Sequence, residues 1–266
     1  MTNQTANTDP VVYNLWHAIS AIDDLMPNVA GQTGLLGEDL CFLLDDVQTP
    51  HVWKGRLSDQ VAIEDRKTVK TQLRYGYIWA CLGEPDRDIF DIKEYAEEGR
   101  RNMNAISVGV NTSSPRVVEN FLDMAHFPFV HTDILGEEPH TEVKEYDVEY
   151  RPEDWEILAT NCQFYQPKAS AASETGVTAE YIYRVPHPYC AVLYKTSPDD
   201  PERMDAIAVF AQPLDEEHVQ AHLMLSVIDH QNELDKNIRL FQQTILGQDK
   251  PILENQLPHK LPLDPR

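Results

Sequence analysis

From Glu142 to Asp229 the chain repeats one pattern six times: EVKEYDVEY, WEILATNCQFY, VTAEYIYRV, YCAVLYKT, DAIAVFAQ and VQAHLMLSVID. Each run is rich in β-branched and aromatic residues, and the joints between runs are polar or contain proline. Joints that short leave little choice but pairing of neighbours, so the runs predict an antiparallel meander. A helix is expected next, from about Asn232 to Leu246. There Leu234, Ile238, Phe241 and Ile245 recur at intervals of four, three and four residues and form one apolar stripe to lay on the sheet. The class is therefore α+β, and 266 residues suffice for one large domain or two small ones.

Upstream, NAISVGVNT reads as a strand and SPRVVENFLDMAHF as a helix, with Ser114 as N-cap and Pro115 at the first helical position. Pro128 is expected to end that helix. In the first third, VVYNLWHAI and QTGLLGEDLCFLLDD read as strands, residues 47–67 lose any clear period, and TVKTQLRYGYIWACL reads as a strand pair closed by Gly83-Glu84-Pro85. No internal repeat interrupts this plan. Residues 1–10 are polar and lack the basic and apolar regions of a signal peptide, so a disordered tail is expected. The expected units are thus 1–10, a small β unit over 11–86 and a larger domain over 87–266.

A net charge of -22 argues against nucleic acid or an anionic membrane as partner, because either needs a basic face. No run approaches the roughly 18 apolar residues of a membrane helix. Cys41, Cys81, Cys162 and Cys190 form no Cys-x-x-Cys pair, which fits a reduced, cytoplasmic chain with buried thiols.

One segment stands apart, NFLDMAHFPFVH, in which Asn120, Asp123, His126 and His131 sit inside an apolar run. Five residues is a poor spacing for one helical face, but a chain broken near Pro128 can turn His131 back toward His126. A carboxylate from a distant helix would complete a 2-His-1-carboxylate triad for non-haem Fe(II), with positions left for O2 and substrate. Asp249, at the expected end of the last helix, is the best candidate. Asp123, on the same helix as His126, would neighbour the metal, and Asn120 lies one helical turn further back. Singly, each histidine reads better as a packed or exposed side chain. Taken together with Asp249 and Asp123, the metal reading gains the upper hand. The histidines at 17, 51, 140, 187, 218, 222, 230 and 259 show no such grouping in sequence and read as structural or exposed.

PRVVENFLDMAHFPFVHTDILG resembles the mononuclear-iron segment of the Rieske non-haem iron oxygenases, whose pattern is Asn-x2-Asp-x2-His-x4-His. RYGYIWACLGEP resembles the strand pair that closes that family's Rieske domain, and QDKPILENQLPHKLPLD resembles its carboxylate segment. The resemblance implies His126, His131 and Asp249 as iron ligands, Asp123 as the acid linking the iron to a Rieske cluster, and Asn120 as an iron-proximal group. It implies Gln256 as a substrate contact, by analogy with N-demethylating members. It further implies a helix-grip catalytic domain, a sheet around a long C-terminal helix, preceded by a remnant of the Rieske-type scaffold.

One departure is large. The family holds a [2Fe-2S] cluster through Cys-x-His and Cys-x-x-His, and neither motif occurs in this sequence. Only about twenty residues around HVWKGRLSDQ stand where the cluster loops belong. Electrons would then come from a partner, a Rieske-cluster-bearing reductase, with other oxygenase subunits or an accessory protein as further partners. The implied reaction is O2-dependent hydroxylation of an N-methyl group on a small aromatic substrate, a methylxanthine such as 7-methylxanthine, with release of formaldehyde. The competing readings are a catalytically silent structural subunit, a helix-grip binding module, and a zinc hydrolase built on the same triad.

Overall fold

The computed structural model describes residues 9–168, 176–197, 199–230 and 232–262; residues 1–8 of the expected tail lie outside the described residues. The six runs form six strands: β9 (Asp147–Arg151), β10 (Glu156–Gln166), β11 (Val177–His187), β12 (Cys190–Thr196), β13 (Met204–Pro213) and β14 (Val219–Ile228). They pair antiparallel in chain order, and β8 (Arg100–Val110) adds beside β14 to complete a seven-stranded sheet. Residues that alternate along these strands divide between two buried faces, which accounts for strands as uniformly apolar as β13 and β14.

The first third builds two smaller antiparallel sheets. β1 (His17–Ala21), β7 (Tyr77–Cys81) and β6 (Lys70–Arg74) form one; β2 (Gly31–Leu35), β3 (Glu38–Leu44), β4 (Pro50–Lys54) and β5 (Lys67–Thr68) form the other. Trp16, Tyr77 and Trp79 pack on Val192, Tyr194, Phe210 and Met224 of the large sheet, and the Trp79 ring lies 4.9 Å from that of Phe210. The β2–β3 turn docks on the large sheet through Leu36 N–H to Pro213 O and Gly37 N–H to Leu214 O, both 2.7 Å. Leu36 at φ 53° and Gly37 at φ 84° make the left-handed pair that a two-residue hairpin needs.

The other face of the large sheet carries the helices. Val117 and Val118 of α2 (Ser114–Leu122) and Leu253 of α4 (Asp235–Asn255) pack on Val209, Ala221 and Leu223. α4 runs along β8, with Gln243 Nε2 donating to Ala105 O at 2.9 Å and Lys250 Nζ donating to Gly109 O at 2.6 Å.

Several local expectations are corrected. VVY forms a helical turn, α1 (Pro10–Tyr13), because Asp9 Oδ1 accepts from Val11 N–H at 2.9 Å and Pro10 starts the turn. Residues 47–67 contain β4, whose buried pair Val52 and Trp53 is too short a run to show a period. α2 is capped at Ser113, not Ser114, and ends at Leu122. Asp123 Oδ1 accepts from Ala125 N–H at 2.8 Å, a local turn that competes with helix. Asp123 and His126 therefore do not share a helix. Pro128 begins rather than ends a helix, α3 (Phe127–Val130). α4 continues nine residues past Leu246, so Asp249 lies within it rather than at its end. Its buried residues are Leu246, Asp249 and Leu253, whereas Leu234, expected in the stripe, is 57% exposed.

Candidate metal centre

The single turn of α3 solves the five-residue spacing. His126 is its N-cap and His131 its C-cap, and the turn between them is closed by Val130 N–H to His126 O at 2.9 Å and His131 N–H to Phe127 O at 3.0 Å. The two rings end 4.9 Å apart at 67°, with Nε2 atoms 3.1 Å apart. Asp249 enters from α4, its Oδ1 standing 3.0 Å from His131 Nε2 and 3.4 Å from His126 Nε2. Among the described residues these three form the one group of His, Cys, Asp and Glu side chains spaced for a metal ion.

The outer ring nitrogens set the tautomers. His126 Nδ1 faces Asp123 Oδ2 at 3.1 Å, and His131 Nδ1 faces Gln248 Oε1 at 2.9 Å. Both partners accept, so both Nδ1 atoms carry hydrogen and both Nε2 lone pairs point inward. Two lone pairs and a carboxylate oxygen at 3.0–3.4 Å repel one another unless a positive charge lies between them. Metal–ligand bonds of about 2.1 Å at right angles place neighbouring ligand atoms about 3 Å apart, so the donor set fits a first-row metal ion.

Without the metal, a proton partly serves. Burial works against charge on His126, yet its hydrogen bonds to Asp123 and Asp249 raise it to about 9. Burial likewise works against charge on Asp249, but the two imidazoles hold its carboxyl below the usual range. The hydrogen bond from His126 keeps Asp123 low as well, against a smaller burial effect. His131 and Asp249 are buried, while the Asp123 side chain is 47% exposed.

Of the other expected residues, Asn120 reaches the centre, with Nδ2 donating to Asp249 Oδ1 at 3.4 Å. Gln256 does not join it: it caps the end of α4 and donates to Glu119 Oε2 at 3.4 Å. Two contributors escaped the sequence reading. Gln248 orients His131, and its one signal was an amide beside Asp249. Arg116 ties α2 to the chain after α4 through Pro258 O at 3.1 Å. His17 and His187, distant in sequence, also meet, with rings 5.4 Å apart. A groove of about 1340 Å³ lies on the opposite sheet face, by Trp16, Trp79 and Tyr194, away from the three donors.

Residues 110–266, which hold α2, α3 and α4, match the family described as the vanillate O-demethylase oxygenase C-terminal domain. Over 251 residues the chain is 44% identical to a probable methylxanthine N7-demethylase, NdmC, of Pseudomonas sp. (strain TJI-51), covering 94% of this chain and 86% of the relative. Among solved structures it is similar in fold to NdmA of Pseudomonas putida CBB5 with caffeine, at a TM-score of 0.73 and 16% identity, covering 95% of this chain and 85% of that one. It is also similar to dicamba monooxygenase bound to 3,6-dichlorosalicylic acid, at a TM-score of 0.73 and 15% identity, covering 91% and 87%. A family match over more than half the chain, set beside a relative 44% identical, leads to one conclusion: the chain belongs to the Rieske-type oxygenase family defined by the vanillate O-demethylase oxygenase C-terminal domain.

Proposed function

We propose that this chain is the iron-bearing oxygenase component of a multi-protein N-demethylase acting on a methylxanthine, with 7-methylxanthine as the first substrate to test. The observation that carries the reading is the convergence of His126 Nε2, His131 Nε2 and Asp249 Oδ1, with both outer ring nitrogens already committed. The choice of substrate is supported by the 44% identical relative described as a probable methylxanthine N7-demethylase. The course of α4 along β8 and α2 is compatible with a helix-grip arrangement, and we read residues 11–86 as a remnant scaffold of the Rieske type.

Fe(II), when bound, supplies the activation of O2 and the oxidation of the methyl C–H bond. His126, His131 and Asp249 would hold it, Asp123 and Gln248 keep the imidazoles in the ligating tautomer, and burial of His131 and Asp249 limits water. In balance, N–CH3, O2, two electrons and two protons give N–CH2OH and water, and the carbinolamine divides into N–H and formaldehyde. We read the chain as carrying no [2Fe-2S] cluster of its own, a reading supported by a sequence with neither Cys-x-His nor Cys-x-x-His. The electrons therefore come from a partner carrying the cluster. Asp123, half exposed and bonded to His126, is the group we assign to their entry.

The test is iron content, then NADH- and O2-dependent formaldehyde release from 7-methylxanthine with and without a Rieske-bearing reductase. Stoichiometric iron without turnover under any such reductase transfers the chain to the structural-subunit reading. Asp123→Asn, which keeps an acceptor for His126, is expected to retain iron and lose at least 100-fold in turnover. Loss of iron instead makes Asp123 a group that the metal needs, as the partner that orients His126 or as a ligand, and overturns its assignment to electron entry.

A further inference from the structure

Two large polar side chains beside the metal centre take no part in the chemistry above. Tyr181 and Tyr183, two apart on β11, share one sheet face, and their rings stack 6.1 Å apart at 24°. Both are buried in a cluster with Met124 and Phe127. The Phe127 ring lies 5.0 Å from that of His126 and 6.0 Å from that of His131, so the cluster that holds the phenols borders the ligands. Both hydroxyls are shielded from solvent, and neither has a hydrogen-bond partner among the described residues.

The other polar groups in the same row are paired. Lys195, opposite Tyr181, donates to Gln166 Oε1 at 3.4 Å, and Asp205, opposite Lys195, accepts from Ile228 N–H at 2.8 Å. Phenylalanine fills the same space without an unpaired hydroxyl, whereas burying an unpaired hydroxyl is destabilising. That cost is carried twice, in the cluster that borders the metal ligands.

We propose that Tyr181 and Tyr183 are specificity-determining residues, whose hydroxyls hydrogen-bond the carbonyl oxygens or ring nitrogens of a flat, polar heteroaromatic substrate. This rests on the functional reading above, and it names what recognises the ring. The segment 132–146, free of helix and strand apart from isolated bridges, packs Leu135 and Val143 against the same cluster. Irregular segments of that length in compact domains are often active-site covers, and the ligand reaches the hydroxyls by displacing this one.

The test uses the iron-loaded full chain with its Rieske-bearing reductase, comparing wild type with Tyr181→Phe, Tyr183→Phe and the double variant. Iron content should stay unchanged, and the melting temperature of the ligand-free protein should hold or rise. The KM and Kd for 7-methylxanthine should rise roughly tenfold per hydroxyl. Affinity for 1-methylindole, a flat N-methyl ring without carbonyls, should hold or improve. A lower melting temperature with unchanged Kd marks the hydroxyls as structural and overturns the proposal. The two possible failures differ. If wild type turns over 7-methylxanthine and both variants keep its KM, the phenol inference alone falls; if wild type turns over no methylxanthine, the functional reading falls and takes the inference with it.

Discussion

At the residue scale, the centre depends on groups that never touch the metal. Gln248 Oε1 accepts from His131 Nδ1 at 2.9 Å, and His131 is 1% exposed, so no water replaces that amide if it is removed. Gln248→Leu leaves a buried N–H unpaired and frees the ring to turn, and loss of such a partner weakens metal binding by roughly 10–100-fold. Titration of the metal-free variant with Fe(II) under anaerobic conditions should show that loss; wild-type affinity in Gln248→Leu would mean that packing alone orients His131. The contrast with the ligands explains what was legible. His126, His131, Asp123 and Asp249 were readable because their types and spacing carry chemistry by themselves. Gln248 was not, since its role depends on which way α4 turns, and that is fixed only where Leu246 and Leu253 enter the core. Gln256 was carried over by resemblance, and its own contact is with Glu119.

At the element scale, helix ends decided where reading by sequence failed. Gly247 and Pro251 are ordinary stop signals, yet α4 runs through both to Asn255. Burial of Leu246 and Leu253 on either side outweighs the breakers, and Asp249 is presented from inside a continuous helix. The β meander was legible because alternation and turn residues are local signals. The ends of α2 and α4 were not, because a side-chain turn at Asp123 and tertiary burial decide them. Pro251 is exposed and lacks the N–H that would reach back to residue 247. Pro251→Ala should therefore raise stability by about 1–3 kcal/mol, read as the midpoint of urea unfolding, without changing metal affinity. A lower midpoint would show that the proline itself shapes the turn that carries Asp249.

At the scale of the whole molecule, the large sheet is the middle layer, and its burial on both faces strands several histidines away from water. Burial lowers His17 to about 4 against the weaker effect of its hydrogen bond to Val12 O, and lowers His222 to about 3. His222 sits between Ser107 Oγ and Gln212 Oε1, at 3.0 Å from each. Both folded values lie below the unfolded value near 6.5, so as pH falls the unfolded chain takes up protons first. Their stabilising effect is complete above pH 6.5 and declines toward pH 4 and pH 3, by up to about 1.4 kcal/mol per pH unit for each residue. His126, held to about 9 in the metal-free chain, is already protonated in the folded state below pH 6.5 and adds no slope there. Relief of charge repulsion in a chain of net charge -22 acts the other way, but carboxylates of ordinary affinity titrate mostly below pH 5. Urea unfolding of metal-free protein between pH 6.5 and 5 should thus show a falling midpoint. Burial holds His187 well below its ordinary value too, so three buried histidines share the slope. His222→Gln, which keeps hydrogen-bonding groups for Ser107 and Gln212 but takes up no proton, should flatten the slope by roughly a third. A midpoint constant across that window would mean that these histidines gain protonated partners on acidification and that the buried layer opens locally before it unfolds.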